Sequence, residues 1–274
     1  MQLRRIFVVI DPTTPDQIAL ARAAAFAGHT GASIHAYICI PETYVWAADG
    51  MAMRAAERAR HELWLASLVR PLLEQGLTVT TEVECHDDWR SALAPAADRA
   101  GADLVVKETR RHSPLHRHLL KTSDWTLLRH ARCPVMLVKS RRLGAYDHVL
   151  AAINFDTPDA FHQALADSVI EHARALAASC GSELHAVDAY ESEQSLASLA
   201  DMARRLGIDR TKVRTAQGDP ETVISEVARR LGSPLVVMST VARRGVSGAI
   251  LGNTAERALD ALDCDVLIII RRPG

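Results

Sequence analysis

The sequence lacks the features that mark membrane, secreted and nucleic-acid-binding proteins. Lys and Arg total 32 against 33 Asp and Glu, so no excess charge of one sign attracts nucleic acid or an anionic membrane. The apolar run Val266–Ile270 is about a quarter of the length that a bilayer crossing requires. At the other end, the run Ile6–Ile10 stops at Asp11-Pro12, before a secretion signal would be complete. These absences predict a cytoplasmic protein with no membrane partner and no nucleic-acid partner.

Cysteine is scarce, and its pattern excludes two common uses. The five cysteines are odd in number, scattered and never spaced as Cys-x-x-Cys, which argues against a disulfide framework and a zinc ribbon. Cys133 and Cys264 precede the last apolar run of each half without a neighbouring histidine to activate them. We interpret both as packed thiols.

Metal-ligand patterns are also weak. His112, His116 and His118 have a spacing that could place two imidazoles on one metal if the segment were helical. Ser113-Pro114 interrupts such a helix, and no carboxylate or cysteine nearby completes the ligand set. We therefore predict no metal site.

What the sequence does contain is a long internal repeat. The segments Asp103–Thr109 and Cys133–Val138 match Pro234–Thr240 and Cys264–Ile269, and in both copies 24 positions separate Thr from Cys. With 274 residues, 48% of them hydrophobic and 24% charged, the chain is long enough for two globular domains. A fused duplication explains the match, and we place the domains at 1–142 and 143–274.

The starts of the two halves match as well. Phe7–Asp11 corresponds to Leu150–Asn154, and Gly31–His35 corresponds to Gly181–His185. His35 and His185 therefore occupy equivalent positions in predicted strands, where hydrogen-bonded structural roles are expected rather than catalytic ones.

Within each half, β-branched runs alternate with longer patterns of helical period, which predicts an α/β fold with a parallel sheet. In the first half we expect strands near 5–10, 33–39, 78–84, 103–107 and 134–138 and helices near 14–28, 49–75, 89–100 and 122–131. The second half follows the same plan with a shorter second helix. Its last strand and that of the first half are continuously apolar, so we expect them to pair across a pseudo-twofold axis, as in a dimer.

The predicted ligand site lies where strands end in the second half. Ligands bind outside the carboxyl ends of parallel strands at the point where strand order reverses. Residues 239–252 form a predicted loop with small residues, after which Asn253 and Thr254 open a helix. A helix N-terminus behind such a loop suits a phosphate, although an ordinary capped connector has the same pattern.

Several segments resemble a known family. The halves resemble universal stress protein domains, and nearly the whole chain is similar to the tandem, E-type universal stress proteins of bacteria. The segments that carry the resemblance are Gly218–Pro220, Arg229–Gly232, Leu235–Met238, Leu251–Glu256, Cys264–Ile268, Ile10–Pro12 and Thr122–Arg129.

The resemblance implies a fold and a ligand. The fold is a Rossmann-like, adenine nucleotide alpha hydrolase-like pair of five-stranded parallel sheets, each in the order 3-2-1-4-5, packed as a pseudo-dimer. ATP is bound in some members. The resemblance assigns cofactor-binding positions in the second half to Asn154, Ala186, Met238, Ser239, Ala242, Gly252, Asn253 and Thr254.

This sequence departs from the family's nucleotide motif, which is Gly, two residues, Gly, nine residues, Gly and then Ser, Thr or Asn. In the second half, Ser239 and Ala242 replace the first two glycines, and each adds a Cβ where the backbone approaches phosphate. An adenine nucleotide such as ATP is therefore expected in this half with weakened binding. Asn154 stands where the family usually has aspartate.

In the first half the motif glycines are absent, and the segment 107–121 is basic instead. Its members are Lys107, Arg110, Arg111, Arg117 and Lys121, with Glu108 as the one acid. Two interpretations stay open: a solvated charged face, or a site for an anion or an acidic partner.

The predicted function is a non-catalytic, regulatory stress-response role with no enzyme activity. The alternative is an interaction or small-ligand module that has lost nucleotide binding. A nucleotide-hydrolysing enzyme ranks last because neither a Walker lysine-serine pair nor a set of metal-binding carboxylates is present. Association of the chain with a second copy is left open.

Overall fold

The structure is a computed structural model, in which ten stretches of the chain are described. They are residues 3–42, 50–109, 123–141, 146–155, 159–190, 198–232, 234–241, 243–245, 248–250 and 253–271. At 241, 243–245, 248–250, 253 and 254 only the backbone is described. The chain divides into two compact units: the first holds the described residues up to Thr109 together with 123–133, and the second holds those from Pro134 onward.

The first unit alternates strands and helices. Its elements are β1 (Arg5–Val9), α1 (Ile18–Thr30), β2 (Ser33–Pro41), α2 (Gly50–Glu74), β3 (Val79–His86), α3 (Trp89–Arg99), β4 (Leu104–Glu108) and α4 (Ser123–His130). The strands are parallel in the order β3-β2-β1-β4. Central strands covered on both faces have continuous apolar runs, and Ile6–Val8 and Leu104–Val106 are accordingly fully buried.

The second unit repeats this plan with additions. Its elements are β5 (Val135–Val138), β6 (His148–Ala152), α5 (Ala160–Cys180), β7 (Glu183–Tyr190), α6 (Leu199–Leu206), β8 (Val213–Gln217), α7 (Pro220–Arg230), β9 (Leu235–Val241), β10 (Arg243–Gly245), β11 (Gly248–Ile250), α8 (Asn253–Ala261) and β12 (Val266–Arg271). The sheet order is β8-β7-β6-β9-β12-β5. Numbered within the second half, its own five strands follow 3-2-1-4-5.

The two apolar strands that end the sequence halves pair with each other. β5 runs antiparallel to β12, with Met136 opposite Leu267 and Val135 opposite Ile268. This pairing groups β5 with the second unit, although its sequence belongs to the first repeat.

Equivalent glycines end the first helix of each repeat. Gly31 after α1 and Gly181 after α5 have φ of 73° and 65°, and their amides donate to the carbonyls of Ala27 and Ala177. This left-handed cap suits glycine because a side chain is strained at positive φ. It turns the chain directly into β2 or β7.

The segment 239–252 differs from the predicted loop. It contains β10 and β11, a short antiparallel ribbon in which Arg243 lies opposite Ile250 and Gly245 lies opposite Gly248. β-hairpins favour glycines beside a short turn. The sequence offers too little apolar alternation here to predict the ribbon.

None of the described helices is both long and apolar enough to cross a bilayer.

Candidate functional site

The strand order of the second unit reverses between β6 and β9. From β6 the chain crosses through α5 to β7 on one side, whereas β9 lies on the other side with Val237 opposite Ala151. The crossover from β9 to the parallel strand β12 runs through α8, so α8 is the helix that follows the carboxyl end of β9 in this crossover. We call the carboxyl ends of β6 and β9, with the start of α8, the second-unit edge. Ligands of α/β sheets bind at such a switch point.

The structure brings three predicted residues to the second-unit edge. Asn154 lies two positions beyond the last residue of β6 and is exposed, and the amide of the preceding Ile153 donates to the Val187 carbonyl at 3.0 Å. Met238 is buried and Ser239 is half-buried in β9. Asn154 and Ser239 can therefore present hydrogen-bonding side chains there.

The other predicted residues are placed differently. Ala186 lies in the middle of β7, fully buried, opposite Ala151 of β6 and Val213 of β8. α8 begins at Asn253, as the pattern predicts, so Asn253 and Thr254 form its first turn. Ala242 and Gly252 lie outside the described residues.

Thr240 contributes an unpaired hydroxyl to the second-unit edge. It lies in β9 opposite Ile270 of β12 and is 4% exposed. Its Oγ1 has no hydrogen-bond partner among the described residues. A buried hydroxyl without a partner costs about 1–3 kcal/mol, so this oxygen suits a ligand atom.

In the first unit, the hydroxyl of the equivalent threonine already forms a hydrogen bond within the protein. Thr109 Oγ1 donates to Asp124 in the first turn of α4, and Lys107 Nζ lies 2.7 Å from Asp124 Oδ1. The Lys107 and Asp124 side chains are 11% and 6% exposed. A carboxylate thus occupies the helix N-terminus where a phosphate would bind, because both are stabilised there by the helix dipole and amides.

The second unit does not repeat this ion pair. At the repeat positions of Lys107 and Asp124 it has Met238 and Ala255. The acidic residue in the first turn of α8 is Glu256, one position later. The two units therefore have different chemistry at equivalent strand ends.

Lys107 corrects one sequence-based interpretation. The sequence groups it with the basic segment 107–121, in which Glu108 is the one acid, but its ammonium pairs with buried Asp124. It is therefore unavailable to an external anion. Residues 110–121 lie outside the described residues, and the two interpretations of their charge stay open.

Sequence reasoning missed Asp188 and Arg205. Asp188 is 2% exposed in β7. It follows Val187, whose carbonyl accepts a hydrogen bond from the Ile153 amide. The guanidinium of Arg205 lies 5.3 Å from the centre of the Phe155 ring, beside Asn154. An aspartate inside an apolar strand was the available signal for Asp188. The approach of α6 to residue 155 had no local signal.

The cysteines at the repeat positions 133 and 264 are packed thiols, as predicted. Burial raises the pKa of the Cys133 thiol to about 12 and that of the Cys264 thiol to about 12. Both are therefore protonated at neutral pH, and a protonated thiol is a weak nucleophile and metal ligand. None of the five cysteines forms a disulfide.

The sequence profile of the Universal stress protein family matches residues 2–139 and 169–269. The chain belongs to the universal stress protein family. Two matched regions make it a tandem universal stress protein. The resemblance that the sequence motifs predicted is confirmed, although Asn154 lies outside the second matched region.

Relatives of this universal stress protein cover almost all of it. Universal stress protein E from Escherichia coli K12 is 29% identical over 97% of this chain and 93% of its own length. Universal stress protein E from Photorhabdus laumondii is 27% identical over 97% of this chain and 94% of its own length.

Solved structures support the same fold. A functionally unknown protein from Pseudomonas aeruginosa PAO1 is similar with a TM-score of 0.79 and 29% identity, covering 98% of this chain and 92% of that chain. A universal stress protein from Archaeoglobus fulgidus has a TM-score of 0.77 at 18% identity, covering 97% and 96%, which shows the fold alone. The predicted α/β, Rossmann-like class is confirmed.

Proposed function

We propose that this tandem universal stress protein acts in the cytoplasm as a non-catalytic regulator, and that its second unit binds an adenine nucleotide such as ATP. The observation that carries the proposal is the buried, unpaired hydroxyl of Thr240 at the second-unit edge. The equivalent Thr109 already has a partner in Asp124. Nucleotide binding is therefore assigned to the second unit only.

Each group at the second-unit edge has a role in this proposal. We assign the phosphates to Asn253 and Thr254 in the first turn of α8 and to Gly252, which precedes them in sequence, because helix N-termini bind anions through unpaired amides. Asn154 hydrogen-bonds the base or the ribose. The Asp188 carboxylate accepts from a ribose hydroxyl or the adenine amino group.

The remaining predicted residues have different roles. We assign Met238, Ser239 and Ala242 to the phosphate side of the site. Ala186 is fully buried in the middle of β7, so it can only support the base side from within the sheet. Because Ser239 and Ala242 replace glycines, we expect weaker binding than a glycine loop would give.

The alternative function is an interaction module without a nucleotide. The β10–β11 ribbon favours it, since a paired ribbon stands where an open phosphate loop is expected. Retention of a specific partner by the purified chain in the absence of ATP would support this alternative.

The cytoplasmic assignment is supported by the thiols. None of the five cysteines forms a disulfide, and disulfides are rare in reducing compartments such as the cytoplasm.

We also propose that β5 and β12, the last strands of the two sequence halves, pair as the corresponding strands of a dimer would. Their antiparallel register supports this proposal.

Thermal unfolding with and without millimolar ATP tests the nucleotide proposal. Ligand at ten times its dissociation constant stabilises the folded state by about 1.4 kcal/mol, so the wild-type melting temperature should rise. Thr240→Val keeps the side-chain shape but removes the hydroxyl, so we expect a smaller rise with ATP and an equal or higher melting temperature without it.

Thr109→Val is the matched control. It breaks the bond to Asp124, so it should lower the melting temperature without ligand but leave the ATP-induced rise intact. Wild-type protein that shows no rise and carries no co-purified nucleotide would contradict nucleotide binding. ATP turnover by the wild-type chain would contradict the non-catalytic assignment.

A further inference from the structure

A cluster of two histidines and a glutamate lies at the amino ends of β6 and β7, at the opposite end of these strands from the second-unit edge. His148 is the first residue of β6 and lies opposite Glu183, the first residue of β7. His185 follows Glu183 by two residues, so both side chains lie on the same face of the sheet. We propose that His148, Glu183 and His185 bind a divalent transition metal, with Zn²⁺ as the best match.

The distances within this cluster fit one face of a tetrahedral site. His185 Nε2 lies 3.2 Å from His148 Nδ1 and 3.1 Å from Glu183 Oε2, and His148 Nδ1 lies 3.4 Å from the same oxygen. Zinc bonds to nitrogen and oxygen of about 2.0–2.2 Å place tetrahedral ligand atoms about 3.3–3.6 Å apart. The three atoms form a nearly equilateral triangle. Its 3.4 Å edge falls in this range, and its 3.1 Å and 3.2 Å edges lie just below it, so small side-chain rotations suffice to bind an ion.

Hydrogen bonding alone satisfies this triangle poorly. If both ring nitrogens carry protons, both can donate to Glu183 Oε2, but the two N–H groups then lie 3.2 Å from each other; if only one carries a proton, the lone pair of the other nitrogen lies close to the carboxylate oxygen. A divalent cation accepts all three lone pairs at once. The side chains of His148, Glu183 and His185 are 30%, 43% and 15% exposed, so solvent can reach a fourth ligand position.

Lys212 orients the carboxylate. Its Nζ lies 2.8 Å from Glu183 Oε1, the oxygen that does not face the histidines. This contact holds one oxygen and directs Oε2 toward the two rings. Outer contacts of this kind commonly fix ligand geometry in metal sites.

The first unit provides an internal comparison. Its residues at the corresponding register positions are Arg5, Ser33 and His35. His35 is satisfied by hydrogen bonds, with Nδ1 2.8 Å from Thr80 Oγ1 and Nε2 3.0 Å from Glu82 Oε2. The repeat therefore has a metal-type ligand set in one copy and a hydrogen-bonded histidine in the other.

Two imidazoles and a carboxylate match the preferences of zinc. This ligand set, with water as the fourth ligand, is typical of open tetrahedral zinc sites, and imidazole also binds copper and nickel. Among the described residues this is the one group of three such side chains close enough to share an ion.

Titration of the chelator-treated full chain with ZnCl₂, followed by calorimetry or competition with a zinc dye, tests the site. We expect one Zn²⁺ per chain at this site and at least about tenfold weaker binding for His148→Arg, since even outer-shell changes cost about 10–100-fold. The arginine is the first unit's residue at this position, so the strand tolerates it.

Two controls separate this site from other histidines. His35→Asn and the combined change His112→Asn, His116→Asn and His118→Asn should retain wild-type zinc affinity. If His148→Arg fails to fold by circular dichroism, Glu183→Gln replaces it, with the same expected loss. Wild-type affinity in the folded variant at 148 or 183, or loss of binding only in the combined 112, 116 and 118 variant, would overturn the proposal.

Discussion

At the scale of single residues, the two repeat copies differ in whether a charged pair is buried at the end of the fourth strand. Lys107 and Asp124 form a buried ion pair in the first unit, whereas Met238 and Ala255 are the apolar residues at the same repeat positions. Burial makes each charge depend on the other, because an unpaired buried charge is costly. Removal of one partner should therefore lower the free energy of unfolding more than replacement of both.

Asp124→Ala should lower the free energy of unfolding by about 3–5 kcal/mol, because it leaves the Lys107 ammonium buried without its partner. The double variant Lys107→Met with Asp124→Ala copies the second unit and should recover most of the loss, since apolar replacement of a buried pair is often neutral. Urea unfolding of both variants measures the difference. Equal destabilisation of the single and double variants would show that the ion pair is not the cause.

At the scale of elements, the glycine that ends the first helix of each repeat fixes where the next strand begins. α1 and α5 both end at a glycine with positive φ, and a strand starts two residues later. The sequence match of Gly31–His35 with Gly181–His185 therefore reports a shared backbone turn. Glycine is required at Gly31 and Gly181 because φ is positive at these two positions.

Gly31→Ala should destabilise the first unit by about 1–2 kcal/mol through the left-handed backbone alone, because an added Cβ meets no atom within 4 Å. Gly28→Ala, inside α1 and equally uncrowded, should instead stabilise by about 0.5–1 kcal/mol. Chemical unfolding of the two variants measures these opposite signs. Gly31→Ala with wild-type stability would contradict the assigned cap.

The predicted elements agree with the structure where a hydrophobic pattern, bounded by turn residues, marks each element in the local sequence. β1, β2 and β4 appear as buried runs, since central strands have a continuous apolar signature, and α6 is short as predicted. The β10–β11 ribbon has no such signature, because its sequence does not alternate apolar and polar residues.

The candidate sites were harder to predict because their parts are distant in sequence. Asp124 meets Lys107 only because the fold brings the first turn of α4 to the end of β4, and His148 meets Glu183 only through strand register. The loop positions of the second-unit edge came from the family resemblance. The unpaired state of Thr240 depends on the three-dimensional surroundings of its hydroxyl.

At the scale of the whole molecule, the boundary of the repeat and the boundary of the compact unit differ. The repeat predicts domains at 1–142 and 143–274, whereas the second unit starts at Pro134 and includes β5. β5 supplies the antiparallel neighbour of β12 in this unit. An apolar edge without a neighbour promotes association.

A fragment of residues 143–274 should therefore self-associate or aggregate, because Val266–Ile270 loses its partner strand. A fragment of residues 134–274 retains β5, and we expect a smaller tendency to associate. Light scattering coupled to size-exclusion chromatography compares them at equal concentration. A stable monomer for 143–274 would argue against the importance of this pairing.

The pairing of β5 also has a consequence for synthesis on the ribosome. β12 begins 128 residues after β5 ends. At translation rates of about 5–20 residues per second, the synthesis of β12 begins about 6–26 s after that of β5 ends. A nascent chain thus exposes one side of Val135–Val138 during that interval, which makes this tetrapeptide an expected point of contact for chaperones.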